Sequence, residues 1–257
     1  MKILVCIKQV PDMESKFKVA ADSRWYDTAD LAWRMNEYDE FAVEQAVLVK
    51  EQVGDADITV LSIGPDKVKE TIKKALAMGC DRGVHIADDE VSSREPFQIA
   101  GMIAEYARDK NFDLILTGMQ SQDRGSGQVG ILVAELLDLP GVSTVVAFSL
   151  ADGRLELRRE LEGGVKARVA TGLPAVVTCQ LGLNNPRYPT LPNIMKAKKK
   201  ELITVGVADV LKVEARQQTA KLYFPEKKGG GLILEGEPAE VADRLITILK
   251  EKTAVLA

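Results

Sequence analysis

The sequence predicts an α/β protein: a parallel sheet flanked by helices on both faces, with an antiparallel extension and a C-terminal arm. Three observations predict it. Short apolar runs alternate with segments of helical period as far as residue 140, the pattern of β-α repeats that bury a parallel sheet. Beyond Gly141 the helical period gives way to strands joined by turn dipeptides. The chain then ends in a glycine run and one amphipathic segment. Its 257 residues, 46% of them hydrophobic, suffice for one large domain with an appendage. The expected division is a main α/β domain over residues 1–206 and a C-terminal arm over residues 207–257.

Residues 2–10, KILVCIKQV, read as the first strand, ended by Pro11 and Asp12. Residues 13–35 are polar and irregular, with hairpin character in FKVAADSRW; a loop this long usually carries function or covers something. Asn36 stands where a helix N-cap would, with Glu37, Asp39 and Glu40 in the first turn and Phe41, Ala42, Ala46, Val47 and Val49 as an apolar face. Asn36 to Asp39 is either plain capping or a strand-to-helix turn facing a ligand pocket. Residues 56–64 form the second strand, 68–78 a helix closed by Gly79, 83–87 the third strand and 95–109 the next helix. His85 lies within the third strand, where a lone histidine is more often structural than catalytic.

Residues 113–118 then read as a buried strand, with Leu114, Ile115 and Leu116 as its apolar run and Gly118 as its stop. Val129, Leu132, Val133, Leu136 and Leu137 recur at helical spacing. Between them lie Asp123, Arg124, Gly125, Ser126, Gly127, Gln128 and Gly130. A loop without Cβ at three positions lets the backbone approach a ligand, and the free N–H groups of the following helix attract phosphate. The glycines spell G-x-G-x-x-G, but after about the fourth strand rather than directly out of the first, where the dinucleotide fingerprint sits. A plain strand-to-helix connection is the alternative. No G-x-x-x-x-G-K-[ST] occurs, which argues against a kinase or ATPase loop. Ligands of such sheets bind outside the carboxyl ends of the strands. The stretches from Cys6 to Pro11, Asn36 to Asp39, Ile63 to Gly64 and Asp123 to Gly130 all fall at those ends, so four segments share one rim.

Residues 142–150, 154–161, 165–171 and 175–181 read as four successive strands closing the domain as an antiparallel extension, with Asp152-Gly153 and Gly163-Gly164 as tight turns. Residues 184–200, NNPRYPTLPNIMKAKKK, read as irregular, because Pro186, Pro189 and Pro192 oppose helix or central strand through Pro192. Tyr188, Leu191 and Ile194 are apolar in a polar setting, beside the basic patch Lys196, Lys198, Lys199 and Lys200. This is either a solvated loop with a charge run or a docking loop with an apolar anchor and steering charge. Residues 201–224 are mixed, with pairing to another segment left open, 227–231 are a linker, and 238–252 an amphipathic helix with Val241, Leu245, Ile248 and Leu249 on one side.

A net charge of −4 argues against a general nucleic-acid binder. Cys6, Cys80 and Cys179 are far apart and His85 is the single histidine, so no metal site is expected. Such thiols suit a reducing, cytoplasmic setting. The apolar run from Ile3 to Ile7 is too short for a signal h-region or a membrane span.

Residues 1–203 resemble the β (small) subunit of electron transfer flavoprotein. The pieces that carry the resemblance are VCIKQVPD, MNEYDEFAVEQAV, IGP followed by ALAMGCDR, GMQSQDRGSGQVG, EGG with LPAVVT, and NNPRYPTLPNIMKAKKK. The resemblance implies a Rossmann-like, adenine-nucleotide α-hydrolase-like fold in a heterodimer with a larger α subunit, which the C-terminal arm would contact. It implies an electron-carrying FAD shared with that subunit, and AMP or a second FAD held by the β subunit itself. The second-nucleotide site then falls on Cys6, on Asn36, Glu37, Tyr38 and Asp39, on Ile63, and on Asp123, Arg124, Gly125, Ser126, Gly127, Gln128, Val129 and Gly130, with the matching stretch running on to about Ala134. No residue is expected to be catalytic. Partner docking falls on Tyr188, Leu191 and Ile194, with flavin-dependent dehydrogenases such as acyl-CoA dehydrogenases as donors and a quinone oxidoreductase or similar acceptor. The loop reads Arg124-Gly-Ser-Gly-Gln-Val-Gly130 where the AMP-binding form reads D-D-x-C-N-Q-T-G, so AMP and FAD, and with them electron bifurcation, stay open. A reading from another class is a free-standing NAD-dependent oxidoreductase using the G-x-G-x-x-G loop. It lacks a proton-transfer constellation and an acidic residue at the expected distance.

Overall fold

The computed structural model describes residues 1–226 and 229–254; Lys227 and Lys228 of the expected linker lie outside the described residues. The chain runs β1 (Lys2–Cys6), β2 (Gln9–Pro11), β3 (Trp33–Met35), α1 (Glu37–Val53), β4 (Asp57–Gly64), α2 (Val68–Met78), β5 (Arg82–Ala87), α3 (Pro96–Ala107), β6 (Leu114–Gly118) and α4 (Val129–Leu136). It continues through β7 (Gly141–Ala151), β8 (Arg154–Glu160), β9 (Lys166–Gly172), β10 (Ala175–Cys179), α5 (Leu191–Ala197), β11 (Leu202–Gly206), α6 (Val207–Val210) and α7 (Pro238–Lys252). Two compact units result, Met1–Leu222 and Tyr223–Ala257.

In the first unit nine strands form one sheet in the order β11-β5-β4-β1-β6-β10-β7-β8-β9. β1 pairs in parallel with β4 on one side and β6 on the other. Its side chains alternate between two cores. Ile3 and Val5 pack with α1 and α2, whereas Leu4 and Cys6 pack with α3 and α4. Burial on both faces is why these strands read as unbroken apolar runs. Each fully buried leucine or isoleucine contributes about 1.5–3 kcal/mol.

Three expectations are corrected. The four-strand antiparallel extension contains three strands, β7, β8 and β9. β10 instead inserts between β6 and β7, parallel to both. Its sequence AVVTC is buried at every position, while β8 and β9 alternate buried or half-buried with exposed side chains. An unbroken apolar strand needs cover on both faces, which only the centre of the sheet offers. The stretch 184–200 is not irregular throughout, because α5 begins at Leu191. The Thr190 hydroxyl oxygen accepts the Asn193 N–H at 3.4 Å as the N-cap, and Pro192 occupies the first turn. There no N–H is needed and a fixed φ helps, so the proline starts the helix rather than blocking it. Finally, the strand read over residues 2–10 ends at Cys6, and Gln9–Pro11 form β2, paired antiparallel with β3 outside the main sheet. The mixed residues 201–224 supply β11, which pairs in parallel with β5 at the sheet edge.

The long loop between β1 and α1 is closed at its ends by antiparallel pairing of β2 with β3. Within it, Val19 bridges Tyr26 and the Ala20 N–H donates to the Trp25 carbonyl at 2.8 Å, the short hairpin that FKVAADSRW suggests. In the second unit, α7 has no buried residue, and Leu245 and Ile246 are exposed. Among the described residues no helix is long and apolar enough to cross a membrane.

Candidate nucleotide site

The chain steps outward from β1 through β4 to β5, then crosses back to lay β6 on the other side of β1. Helices leaving adjacent strands to opposite faces open a crevice at the carboxyl ends of the strands. A cavity of about 320 Å³ lies there. Cys6, Ile63 and Gly118 line it from the ends of β1, β4 and β6, and Asn36 and Asp39 from the start of α1. Asp123, Arg124, Ser126, Gly127, Gln128, Val129 and Gly130 line it from the glycine-rich loop and α4. Glu37, Tyr38 and Gly125 are not among the lining residues. Glu37 accepts from Gln122 Nε2 at 2.9 Å, and the Tyr38 hydroxyl accepts from Gln120 Nε2 at 3.2 Å. These two side chains hold the loop to α1 rather than facing the cavity.

Asn36 occupies the N-cap position of α1, but its side chain makes no capping bond. It donates to Asp39 Oδ1 at 3.0 Å and to the Gln120 carbonyl at 2.9 Å, and accepts from the Gln122 N–H at 3.0 Å. Asp39 is the hub beneath it. Its Oδ2 accepts the Lys8 N–H at 2.7 Å and its Oδ1 the Gly118 N–H at 3.1 Å. One buried carboxylate therefore ties together the segment after β1, the end of β6 and α1. Burial pushes the Asp39 carboxyl up to about 7, against the pull of the three donors.

The glycines have separate duties. Gly125 and Gly127 have φ of 61° and 62°, in the left-handed region that favours glycine. Gly130 is needed for space, since a Cβ there would lie 2.6 Å from both Thr117 Oγ1 and Thr178 Cγ2. It lets α4 press onto β6 and β10. The Gln128 side chain does not cap α4, so the helix presents its first N–H groups without a side-chain acceptor.

Charge and aromatic groups complete the walls. Asp123 is spent on Lys8, whose Nζ donates to its two oxygens at 2.6 and 2.7 Å, and the Tyr26 hydroxyl adds a bond at 3.3 Å. Arg124 donates to the Ser92 carbonyl and stacks over Trp25 at 4.3 Å. Lys67 sits 3.4 Å over Trp33. Burial lowers the affinity of both cations for their protons. Among the described residues neither makes an ion pair with a carboxylate, although Asp123 favours the Arg124 charge, so both can meet an anionic ligand. Gln9 donates to the Lys67 carbonyl at 3.0 Å and Thr71 Oγ1 at 2.9 Å, leaving its buried Oε1 unpaired at the cavity wall. Glycine backbone, free helix N–H groups, two cations, an orphan acceptor and apolar walls together suit a nucleotide.

Lys8 and Gln9 fall within the Cys6 to Pro11 rim stretch, whereas Trp25, Tyr26, Trp33 and Lys67 escape sequence reasoning. The residues in the 13–35 loop carry no periodicity; only the length of that loop points to them. His85 is buried away from the cavity, with Nε2 2.7 Å from the Gly64 carbonyl oxygen, as a structural histidine.

The residues expected to dock a partner lie elsewhere, on and before α5. Tyr188 is 93% exposed and Leu191 79%, with Ile194 and Met195 also exposed. Lys196, Lys198 and Lys199 are exposed, but Lys200 is not part of a free patch. Its Nζ donates to the carbonyls of Leu76 and Cys80, at 2.9 and 2.5 Å, at the C-terminal end of α2. There the helix dipole favours a cation.

The electron transfer flavoprotein domain family matches residues 24–210. Electron transfer flavoprotein subunit beta of Bacillus subtilis is 38% identical over the full length of both chains. The subunits from Methylophilus methylotrophus and Mus musculus are 34% and 36% identical, each aligned over 98% of this chain and at least 97% of their own. The chain belongs to the electron transfer flavoprotein β-subunit family. Its role is electron transfer, and a β subunit implies an α-subunit partner. The free-standing NAD-dependent reading of G-x-G-x-x-G is set aside, since the loop leaves β6 and not β1.

Proposed function

We propose that the β1/β6 crevice holds an adenine nucleotide, AMP or a second FAD, while the chain helps form the site of the electron-carrying FAD at its border with the α subunit. The phosphates would meet the N–H groups of Gly127 to Gly130, with Arg124 beside them. Lys67 and Gln9 would serve other polar groups of the ligand. Flavin supplies the redox chemistry; the residues of this chain bind, orient and exclude water. Cys6 takes no part as a thiolate, because burial pushes its thiol well above the ordinary range. The exposed Tyr188, Leu191 and Ile194 would dock flavin-dependent dehydrogenases such as acyl-CoA dehydrogenases. The electrons would pass on to a quinone oxidoreductase or similar acceptor. The observation that carries the nucleotide reading is the meeting of the two left-handed glycines with the uncapped start of α4 at the switch point of the sheet. The test is a mass spectrum of the nucleotides released from the denatured heterodimer. A second nucleotide alongside one FAD supports the reading, and its mass distinguishes AMP from FAD. One FAD and nothing else overturns it.

A further inference from the structure

Leu191 and Tyr188 can serve as an anchor only if the segment carrying them is held still, since every ordered side chain and loop residue costs binding energy. Prolines stiffen that segment locally, but do not fix it to the body of the protein. The structure shows what does. Glu44, one turn beyond Glu40 in α1, has a side chain only 5% exposed. Its Oε2 accepts the Arg187 main-chain N–H at 3.0 Å. The same carboxylate receives the Arg187 guanidinium, Nε at 2.9 Å from Oε2 and Nη2 at 2.9 Å from Oε1. The outer edge of the guanidinium is taken by Glu51, two turns along, with Nη1 at 2.6 Å and Nη2 at 3.1 Å. Asn184 adds bonds to the Phe41 carbonyl at 3.0 Å and Gln45 Oε1 at 3.3 Å. Beyond α5, Lys200 ties the chain to the end of α2. The apolar residues thus stand between two fixed points.

We infer that Arg187 is the positioning residue of the docking element: its forked pairing with buried Glu44 and with Glu51 clamps residues 184–190 to α1 and so aims Tyr188 and Leu191 at a partner. This rests on the docking reading above. A planar fork with several fixed donors is required, because Nε, Nη1, Nη2 and the backbone N–H are all engaged at once. A lysine can supply charge but not that geometry. The flanking carboxylates hold the guanidinium above its ordinary range.

The test uses the intact heterodimer with a flavin-dependent dehydrogenase as electron donor. Steady-state reduction is measured as a function of heterodimer concentration for wild type, Leu191→Ala, Arg187→Ala, Arg187→Lys and the double variant Arg187→Ala with Leu191→Ala. Arg187→Ala is expected to raise the apparent KM about tenfold with little change in kcat, and Arg187→Lys to recover only a small part. Flavin content and absorbance should stay at wild-type values. The double variant should be little worse than either single change, since an anchor that is no longer aimed has little left to lose. Arg187→Ala leaves Glu44 buried and unpaired, which costs stability. The paired change Glu44→Ala with Arg187→Ala removes that charge, and its KM should be raised to the same extent. If Leu191→Ala raises KM while Arg187→Ala and the Glu44, Arg187 pair leave it at the wild-type value, the positioning role is wrong and the docking reading stands. Full recovery by Arg187→Lys would equally overturn the fork. If Leu191→Ala itself has no effect, the docking reading fails, and this proposal with it.

Discussion

Asp39 concentrates the electrostatic strain of the rim: it is buried, accepts from three donors, and still has its carboxyl pushed up to about 7. A folded-state value raised above the ordinary carboxylate range means that protonation favours the folded chain. That contribution is complete below the unfolded value and is lost as pH rises through about 7. In urea unfolding between pH 4 and 7.5, wild type should therefore lose stability relative to Asp39→Asn as pH rises, by no more than about 4 kcal/mol. A difference that stays flat across this range would show Asp39 to be ionised throughout. Gly118→Ala attacks the same hub, because an added Cβ would run into Asp39 Oδ1 and come within 2.7 Å of Tyr38 Cβ. The expected loss is about 1–3 kcal/mol, read as a fall in the urea midpoint. Gly127→Val should act on the ligand instead. A β-branched residue at φ 62° disturbs the backbone that would meet phosphate, so the purified heterodimer should carry less second nucleotide. Unchanged nucleotide content in a folded mutant would leave the glycine with a turn role only.

At the scale of elements, α5 shows why proline counts mislead. Pro192 ends a helix only where it would break a bond already made, and one residue after Leu191 there is none to break. Leu191 at 79% exposure can then be buried by a partner, worth roughly 1.5–3 kcal/mol. Leu191→Ala should accordingly slow electron exchange at sub-saturating partner by about tenfold or more. The neighbouring lysines divide by what they touch. Replacing Lys196, Lys198 and Lys199 by alanine should lower the association rate, with the effect fading as salt rises. Lys200→Ala should instead lower thermal stability with little salt dependence in docking, because that ammonium serves the carbonyls at the end of α2. Equal kinetic effects from Lys198→Ala and Lys200→Ala would contradict the division.

For the whole molecule, the arm raises the question of assembly. α7 carries Val241, Leu245, Ile248 and Leu249 on one side and has no buried residue, while Leu232 and Ile233 are exposed at 69% and 82%. Apolar surface of that kind is what an obligate partner covers. Deleting the residues after Gly231 is therefore expected to lower the yield of heterodimer with an α subunit more than it lowers the melting temperature of the remaining β chain. Co-purification yields of full-length and truncated chains measure this, and equal yields would dismiss the arm as an assembly element.

Local pattern was enough to determine the alternation of strands and helices through Pro140, the amphipathic α7, the tight turns at Asp152-Gly153 and Gly163-Gly164, and the convergence of four segments on one rim. Each of these follows from side-chain period or from residues with restricted backbones, which act over a few positions. The resemblance added the family and the residues expected to dock a partner. Tertiary structure decided the rest, because it turned on what each group found across the chain. AVVTC could pair antiparallel with its predecessor or parallel beside β6, and only the cover available on both faces chose between them. Asn36 had the form of a cap, but the loop at Gln120 and Gln122 offered it better partners. Lys200 looked like one more solvated charge until the end of α2 was brought against it. Trp25 and Trp33 reached the cavity through a loop whose path no periodicity encodes. A hydrogen bond or a stacked cation between residues a hundred positions apart leaves no trace in local sequence, and the crevice is built largely from such contacts.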